Sequence, residues 1–472
     1  MKPGMKPDKP NILLILADQH RYDCIGCAGT YPVNTPNIDR LAREGVWFSN
    51  AYTPIPVCCP ARQSMLSGRR PETFGALWNY NGGLKISALG PEEYTWVKDL
   101  KEHGYRTGHA GKWSINPEYG PCHYGFDDQV QDSGYRDFRS KAYPQVKFFN
   151  GFFGETDPVP LEHSHTHWLA GQTMKLMEEY ARDGRPWLIS LDFSEPHLPC
   201  RPSEPFASMY NPSDVPMWPS FKENFENKPY IQKQQLYSWN IDNFTWDDWA
   251  PIVARYYGII SQIDDAMGII LDRLDSLGLA ENTLVIYTSD HGDMCGAHRM
   301  IDKHYVLYDD IARVPLIARW PGIIKGGTVC DDFICHSLDI PPTMLDVTGI
   351  GKKEFFQGKS FLPLLTGERS DMPGEWRNHV VSTYNGQQFG LYTQRMIRTR
   401  EWKYIWNTTD MDELYDLVND PHELQNVIYE YQHKGLVVEL RRKLYEELVR
   451  DGDGLVKGNE WMKNQLLGGK KL

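Results

Sequence analysis

The residues best suited to chemistry form one short stretch, Cys58-Cys59-Pro60-Ala61-Arg62, followed by Leu66-Ser67-Gly68-Arg69. Proline is tolerated in the first turn of a helix, Ala61 to Leu66 are acceptable helix formers, and Gly68 can stop the helix. The pattern predicts a helix N-terminus beside Cys58. Backbone N–H groups and the macrodipole favour negative charge at such an end, so a nucleophile there could attack an anionic ester. The same residues equally fit an inert buried cysteine near a turn. A second group of polar residues breaks the balance. The apolar runs Asn11–Ala17 and Thr283–Thr288 lead into Asp18-Gln19-His20 and Ser289-Asp290-His291-Gly292-Asp293. If both runs are buried strands, acidic groups collect at the strand ends, where open α/β sheets bind ligands.

The elements needed to position these residues are legible. Thr35–Gly45 reads as a capped helix with Thr35 as cap, Pro36 at its first position and Gly45 as stop. Strands are expected at Tyr105–Ala110, Trp187–Phe193 and Val314–Ala318, with helices at Thr95–His103, His167–Arg182, Ile252–Leu277 and Leu338–Val347. Pro199–Trp249 is rich in proline and aromatics without periodicity, and reads as a long irregular segment shaping a site. Alternation of strand and helix predicts an α/β fold, a large mixed sheet sandwiched by helices. After a linker at Thr366–Gly374 the pattern changes to short antiparallel strands and an amphipathic helix at Gly435–Val449. This divides the chain into a catalytic unit, 1–368, and a smaller C-terminal α+β domain, 369–472, with a loosely held tail from Asp451.

The 472 residues carry a formal charge of −12, which argues against nucleic-acid binding. No apolar run reaches membrane-spanning length, and the Asn11–Ala17 run has no cleavage site after it. Nine cysteines, an odd number, suit a reducing, cytoplasmic location. Cys24 and Cys27 have no second pair at zinc-site spacing.

Taken together, the Cys58–Arg69 stretch, Gly104-Tyr105-Arg106-Thr107-Gly108-His109-Ala110-Gly111-Lys112-Trp113, Pro196-His197, Ser289–Gly292, Lys303 and Glu413–Pro421 resemble the type I formylglycine-dependent sulfatases of the alkaline phosphatase superfamily. The resemblance implies that a maturation enzyme oxidises Cys58 to formylglycine, whose hydrate attacks sulfur. It implies one divalent metal ion, calcium first with Mn, Mg or Zn as alternatives, held by Asp18, Gln19, Asp290, His291 and the oxygen at position 58. Arg62 would hold the diol, Lys112 and Lys303 would clamp sulfate oxygens, and His197 would protonate the leaving alcohol. Asn79 and His298 are carried over as substrate-binding residues.

Three positions depart from the common family pattern. Gln19 stands where many members have aspartate, His291 where many have asparagine, and Ser114 where a histidine is usual. The first two resemble the choline sulfatase and phosphonate monoester hydrolase branches. His109, His298 and His304 are the substitutes available for the absent histidine. The expected reaction is release of sulfate from an organic, carbohydrate sulfate ester, with phosphonate monoester or phosphodiester hydrolysis by the same nucleophile as the alternative. Pro199–Trp249 and Tyr80–Gly90 are expected to shape the leaving-group pocket.

Overall fold

Asn11–Asp18 is buried along its whole length, and its side chains alternate between two cores. Ile12, Leu14 and Leu16 pack with Met65, Leu66, Leu100 and Met344 on one face. Leu13, Ile15 and Ala17 pack with Ile38, Leu41, Leu169, Met177 and Ile263 on the other. A strand apolar on both faces needs helices on both sides. The Cys58–Ser67, Trp96–Glu102 and His336–Val347 helices cover the first face, and the Pro36–Glu44, His165–Asp183 and Trp246–Ser276 helices the second.

The computed structural model describes residues 9–80, 86–369, 374–387 and 390–470. The main sheet comprises β1 (Asn11–Asp18), β2 (Val46–Phe48), β3 (Arg106–Gly111), β4 (Asp128–Gln131), β5 (Trp187–Pro196), β6 (Thr283–Ser289), β7 (Leu316–Arg319) and β8 (Thr328–Cys330). Their order is β8-β2-β7-β6-β1-β5-β3-β4. All neighbours run parallel except at β7, which is antiparallel to both β6 and β2. The register pairs Ala17 with Ser289, Asp18 with Pro196 and Gly111 with Asp192. The carboxyl ends of β1, β3, β5 and β6 therefore meet at one edge, as the strand-end acids required.

A four-stranded antiparallel sheet follows, built from His379–Gln387, Gly390–Thr399, Trp402–Asn407 and Glu413–Asp416. Val437, Leu440, Leu444 and Leu448 of the Lys434–Arg450 helix recur at helical spacing and pack on its Ile397, Tyr404 and Trp406. Within the expected linker Thr366–Gly374, residues 370–373 lie outside the described set.

Three expectations are corrected. The chain after Asp451 is not a loose tail: Asp451 accepts from Arg70 Nε at 2.5 Å, Asp453 pairs with Arg395 at 2.5 Å, and Leu466 of the Glu460–Gly468 helix is buried. Pro199–Trp249 is not uniformly irregular. It contains a Tyr230–Trp239 helix, and Trp218, Leu236 and Trp249 are core residues. Helical spacing there is masked because the buried set includes polar Gln232 and Gln235. Finally, Thr35 does not cap its helix through its side chain. Its hydroxyl accepts from Gly26 N instead. The exposed N–H groups of Asn37 and Ile38 donate to Asp264, at 3.0 and 2.7 Å, from a helix 226 residues away in sequence.

That long-range cap ties two helices of one face together. Asp264→Ala is expected to lower stability by about 1–2 kcal/mol, the usual range for losing a helix cap. Urea denaturation of the parent and variant checks this. Equal midpoints and slopes would show the cap contributes nothing.

Candidate active site

All ten residues of the Cys58–Ser67 helix are buried, although it includes Arg62, Gln63 and two serines. A buried polar helix must have its groups satisfied. Its N-terminus receives no side-chain cap from Val57. Asn79 Oδ1 accepts from Cys59 N at 2.9 Å and supplies the acceptor from outside. At the other end Gly68 adopts a left-handed conformation, φ 71°.

Arg62 organises what the strand ends deliver. Its Nε donates to Asp290 at 2.8 Å, Nη1 to Asp192 at 2.8 Å, and Nη2 to Asp18 at 3.0 Å. Three carboxylates from β1, β5 and the segment after β6 thus converge on one guanidinium. Lys112 Nζ adds a second cation, 2.6 Å from Asp18. Gly111 allows that approach: with φ 107°, a Cβ on it would overlap the carbonyl of Asp192, which instead accepts from Lys112 N at 2.8 Å.

These contacts set the charge states. Burial opposes ionisation of Asp18, but Lys112 and then Arg62 outweigh it and hold its carboxyl well below the usual carboxylate range. Asp290 moves the other way, raised by burial and then by the charge of Asp18. Burial and Asp18 push the Cys58 thiol up, yet Lys112, Lys303 and His291 prevail and bring it well below its ordinary value.

Cys58 Sγ lies 3.1 Å from His291 Nε2 and 3.7 Å from Asp18 Oδ1. His291 Nδ1 donates to the Gly292 carbonyl at 2.9 Å, which turns Nε2 towards the cysteine. Ligand atoms of Asp18, Cys58, Asp290 and His291 all lie within 4.8 Å of one another, and all four residues are buried. Two carboxylates and one imidazole nitrogen, crowded enough to raise Asp290, fit a divalent cation. This is the one such cluster found among the described residues, and Cys24 and Cys27 are not part of it.

Around this core, Lys303 Nζ donates to Gln19 Oε1 at 2.6 Å, Asp302 Oδ1 at 3.0 Å and His197 Nε2 at 3.0 Å. His197 Nδ1 donates to the Leu198 carbonyl at 2.6 Å. Gln19, at φ 67°, donates its amide to Asp293 at 2.6 Å. Its side-chain carbonyl accepts from Lys303. Its backbone N–H does reach Asp290, at 3.1 Å.

Cys58, Arg62, Lys112, His197, Lys303, Asp18, Asp290 and His291 are thus brought together, and two other residues are not placed as expected. Asn79 serves as the helix cap described above. His298 is fully buried, its Nδ1 2.8 Å from Glu223 and its ring stacked on Tyr308 at 4.0 Å, so it does not face a substrate. None of the three substitute histidines touches Cys58. His109 faces Asp192 at 3.4 Å, His304 pairs with Asp302 at 2.8 Å, and His298 holds Glu223. Sequence reasoning missed Asp192, which lies within the Trp187–Pro196 strand rather than at its end as Asp18 does in its own. It also missed Asp302, the partner of Lys303, and named Asp293, the partner of Gln19, only as part of the strand-end group.

Comparisons with known proteins agree with this architecture. The family model described as Sulfatase matches residues 10–350, and that described as N-sulphoglucosamine sulphohydrolase, C-terminal, matches residues 296–450. An arylsulfatase of Clostridium perfringens is 31% identical, covering 96% of this chain and 98% of its own. An ulvan-active sulfatase of Formosa agariphila is 30% identical, covering 95% and 83%. The crystal structure of a phosphonate monoester hydrolase of Agrobacterium radiobacter superposes with a TM-score of 0.79 at 25% identity, covering 94% of this chain and 96% of that one.

The Arg62 hub yields a pH-dependent expectation. Removing one partner of a buried ion pair costs about 3–5 kcal/mol, so Arg62→Ala should destabilise by at least that much at pH 8. In the parent, Asp18 and Asp192 are lowered, so their contribution is present above the unfolded value of about 3.9 and is lost as pH falls. In the variant burial acts unopposed by Arg62 and raises the carboxyls, so the deficit should grow between pH 5 and pH 8. Denaturation at both values checks the sign. A deficit that shrinks with rising pH would contradict it.

Proposed function

The chain belongs to the sulfatase family, and on that premise we propose that it releases inorganic sulfate from a carbohydrate sulfate ester through formylglycine made from Cys58 by a maturation enzyme. Sulfate-ester hydrolysis follows from the family and from the arylsulfatase relative. The observation that carries the finer reading is the convergence on position 58 of two carboxylates, one imidazole and the cations Arg62 and Lys112.

The roles follow from position and charge. Oxidised and hydrated, position 58 would supply a geminal diol as nucleophile. Asp18, Asp290 and His291 would hold a divalent cation, calcium first, whose charge favours ionisation of a neighbouring hydroxyl. Arg62 neutralises the carboxylates and keeps all three in register with position 58. Lys112 and Lys303 present ammonium groups where sulfate oxygens gain charge. His197 is assigned to proton delivery to the leaving alkoxide, and its Nε2 faces the Lys303 ammonium at 3.0 Å. We assign these roles to residues 1–368 and a supporting role to 369–472. All nine cysteines are unpaired thiols, which supports a reducing, cytoplasmic location. Among the described residues no helix is long and apolar enough to cross a membrane.

A second reading has specific support. Gln19, His291 and Ser114 are shared features of the phosphonate hydrolase branch, and one such enzyme superposes closely. Lys112, placed 2.6 Å from Asp18, favours sulfate. Comparing kcat/KM on an aryl sulfate and an aryl phosphonate monoester separates the two, and a large preference for the phosphonate rejects the sulfatase reading.

Two outcomes are expected for protein co-produced with a formylglycine-generating enzyme. Mass spectrometry of the peptide containing Cys58 should find an aldehyde in place of the thiol, and Cys58→Ala should lose sulfate release entirely. An unmodified thiol in active enzyme would reject the nucleophile. Exhaustive chelation should abolish activity, and about one divalent cation per chain should restore it. Full activity in metal-free protein would reject the cation site.

A further inference from the structure

Beside the nucleophile lies a cavity of about 400 Å³ that shares Lys112 and His197 with the site. The segments expected from sequence supply only part of its wall. Only Pro199 and Arg201 of Pro199–Trp249 line it, and Tyr80 lines a neighbouring cavity. Residues 81–85 lie outside the described set. The main wall is the Asp132–Ala142 helix, whose Asp132, Tyr135, Arg136 and Arg139 recur at i, i+3, i+4 and i+7 and so present one face.

The charges on this wall do not cancel. Its three acids, Asp132, Asp157 and Glu195, face two cations, Arg139 and His165, so a further cation is needed to balance them. Arg139 holds Asp157 through both guanidinium nitrogens, at 2.6 and 2.9 Å. His165 bridges Glu195 at 2.8 Å and Asp132 at 3.2 Å, and Ser194 donates to Asp132 at 3.0 Å. Burial opposes the charge on His165, but Glu195 and Asp132 prevail and raise it to about 10, so the bridge is cationic at neutral pH. Two cations remain. Arg136 is exposed and pairs with no carboxylate among the described residues. Arg201 is half-buried, its guanidinium 3.9 Å from the Phe148 ring centroid, with one carbonyl contact at 3.5 Å and Nε without a partner. A concave wall with surplus positive charge focuses the field on whatever occupies it. Planar guanidinium groups suit carboxylate and sulfate oxygens.

We propose that the alcohol displaced from sulfur when position 58 attacks carries a second anionic group, a carboxylate or another sulfate, recognised by Arg136 and Arg201. This rests on the sulfatase reading for the reaction but not for the binding. Hydrogen bonds from Arg139, His165 and Ser194 to the acids of the wall reduce the repulsion that such a ligand would meet. An anionic group gives the exposed Arg136 a counter-charge that a neutral sugar does not. The inference therefore names a specificity-determining pair, separate from the groups that touch the reacting sulfur.

Four esters test it in the mature enzyme: a methylumbelliferyl sulfate, a neutral hexosamine O-sulfate, a hexosamine disulfate and a methyl uronoside O-sulfate. At least one of the last two should exceed the neutral sugar by about 10- to 100-fold in kcat/KM, the range of one or two charge-assisted hydrogen bonds. The better of the two identifies the group. In Arg136→Ala and Arg201→Gln, the ratio of kcat/KM on that ester to kcat/KM on the aryl sulfate should fall at least tenfold, and Arg136→Lys should recover part of it. Preference for the neutral sugar, or a fall shared equally with the aryl sulfate, would overturn the inference. Binding of the unsulfated methyl uronoside and of the hexosamine monosulfate product, followed by NMR titration, keeps the two readings apart. Binding that Arg136→Ala abolishes, without turnover of any ester, upholds the cavity and rejects the reaction. Turnover with no anionic preference and binding indifferent to Arg136 does the reverse.

Discussion

Three buried carboxylates facing one guanidinium constrain the rest of this molecule. Asp18, Asp192 and Asp290 come from separate parts of the chain, and like charges at such range disfavour their common ionisation. Arg62 makes the arrangement possible because its fork reaches all three at 2.8–3.0 Å. A lysine could not span them. Since Arg62 lies one turn after Cys58, the interaction that satisfies the acids also fixes the helix that bears the nucleophile. The parallel sheet is what brings the three strand ends to one edge, so core packing and charge compensation define the same point.

The C-terminal sheet braces that point. Its first strand accompanies the loop before the nucleophile helix: Thr383 N donates to Pro54 O at 2.8 Å and Ser382 Oγ to Thr53 O at 2.5 Å. Gln387 accepts from Asn79 N at 3.1 Å, and Asn79 in turn caps the helix at Cys59. Arg70, just past the helix, is held by Asp451 and by the Val381 carbonyl. The segment beyond residue 369 thus braces both ends of the helix.

Legibility in the sequence followed the range of the interactions. Strands with continuous apolar runs, and helices with clear stops, were readable because their signals are local. That Arg62, Lys112, Asp18 and Asp290 belong to one site was readable because each stands at a strand end or in a motif, whereas their direct pairing was not, since Arg62 was expected to hold the diol and Lys112 a sulfate oxygen. Asp264, Asn79 and Asp192 were not, because they act on elements far away in sequence, and nothing around them announces a partner. Pro199–Trp249 misled for a different reason. Its aromatics look like a sugar-stacking surface, but Trp218 and Trp249 are core, and Arg21 lies over Trp218 at 4.5 Å. Much of the cavity wall comes instead from a short helix with an unremarkable composition, whose spacing places Arg136 and Arg139 on one face.

The account stands on the claim that Arg62 gathers its carboxylates so that position 58, a cation and a sulfate group share one site. A crystal structure of the Cys58→Ala enzyme with a bound sulfate ester and divalent cation tests this most directly. The account predicts cation density between Asp18, Asp290 and His291, and sulfate oxygens within hydrogen-bond reach of Lys112 and Lys303, with the sulfur facing residue 58. An ester bound elsewhere, or a cation outside those three ligands with Lys112 still closed on Asp18, would contradict it.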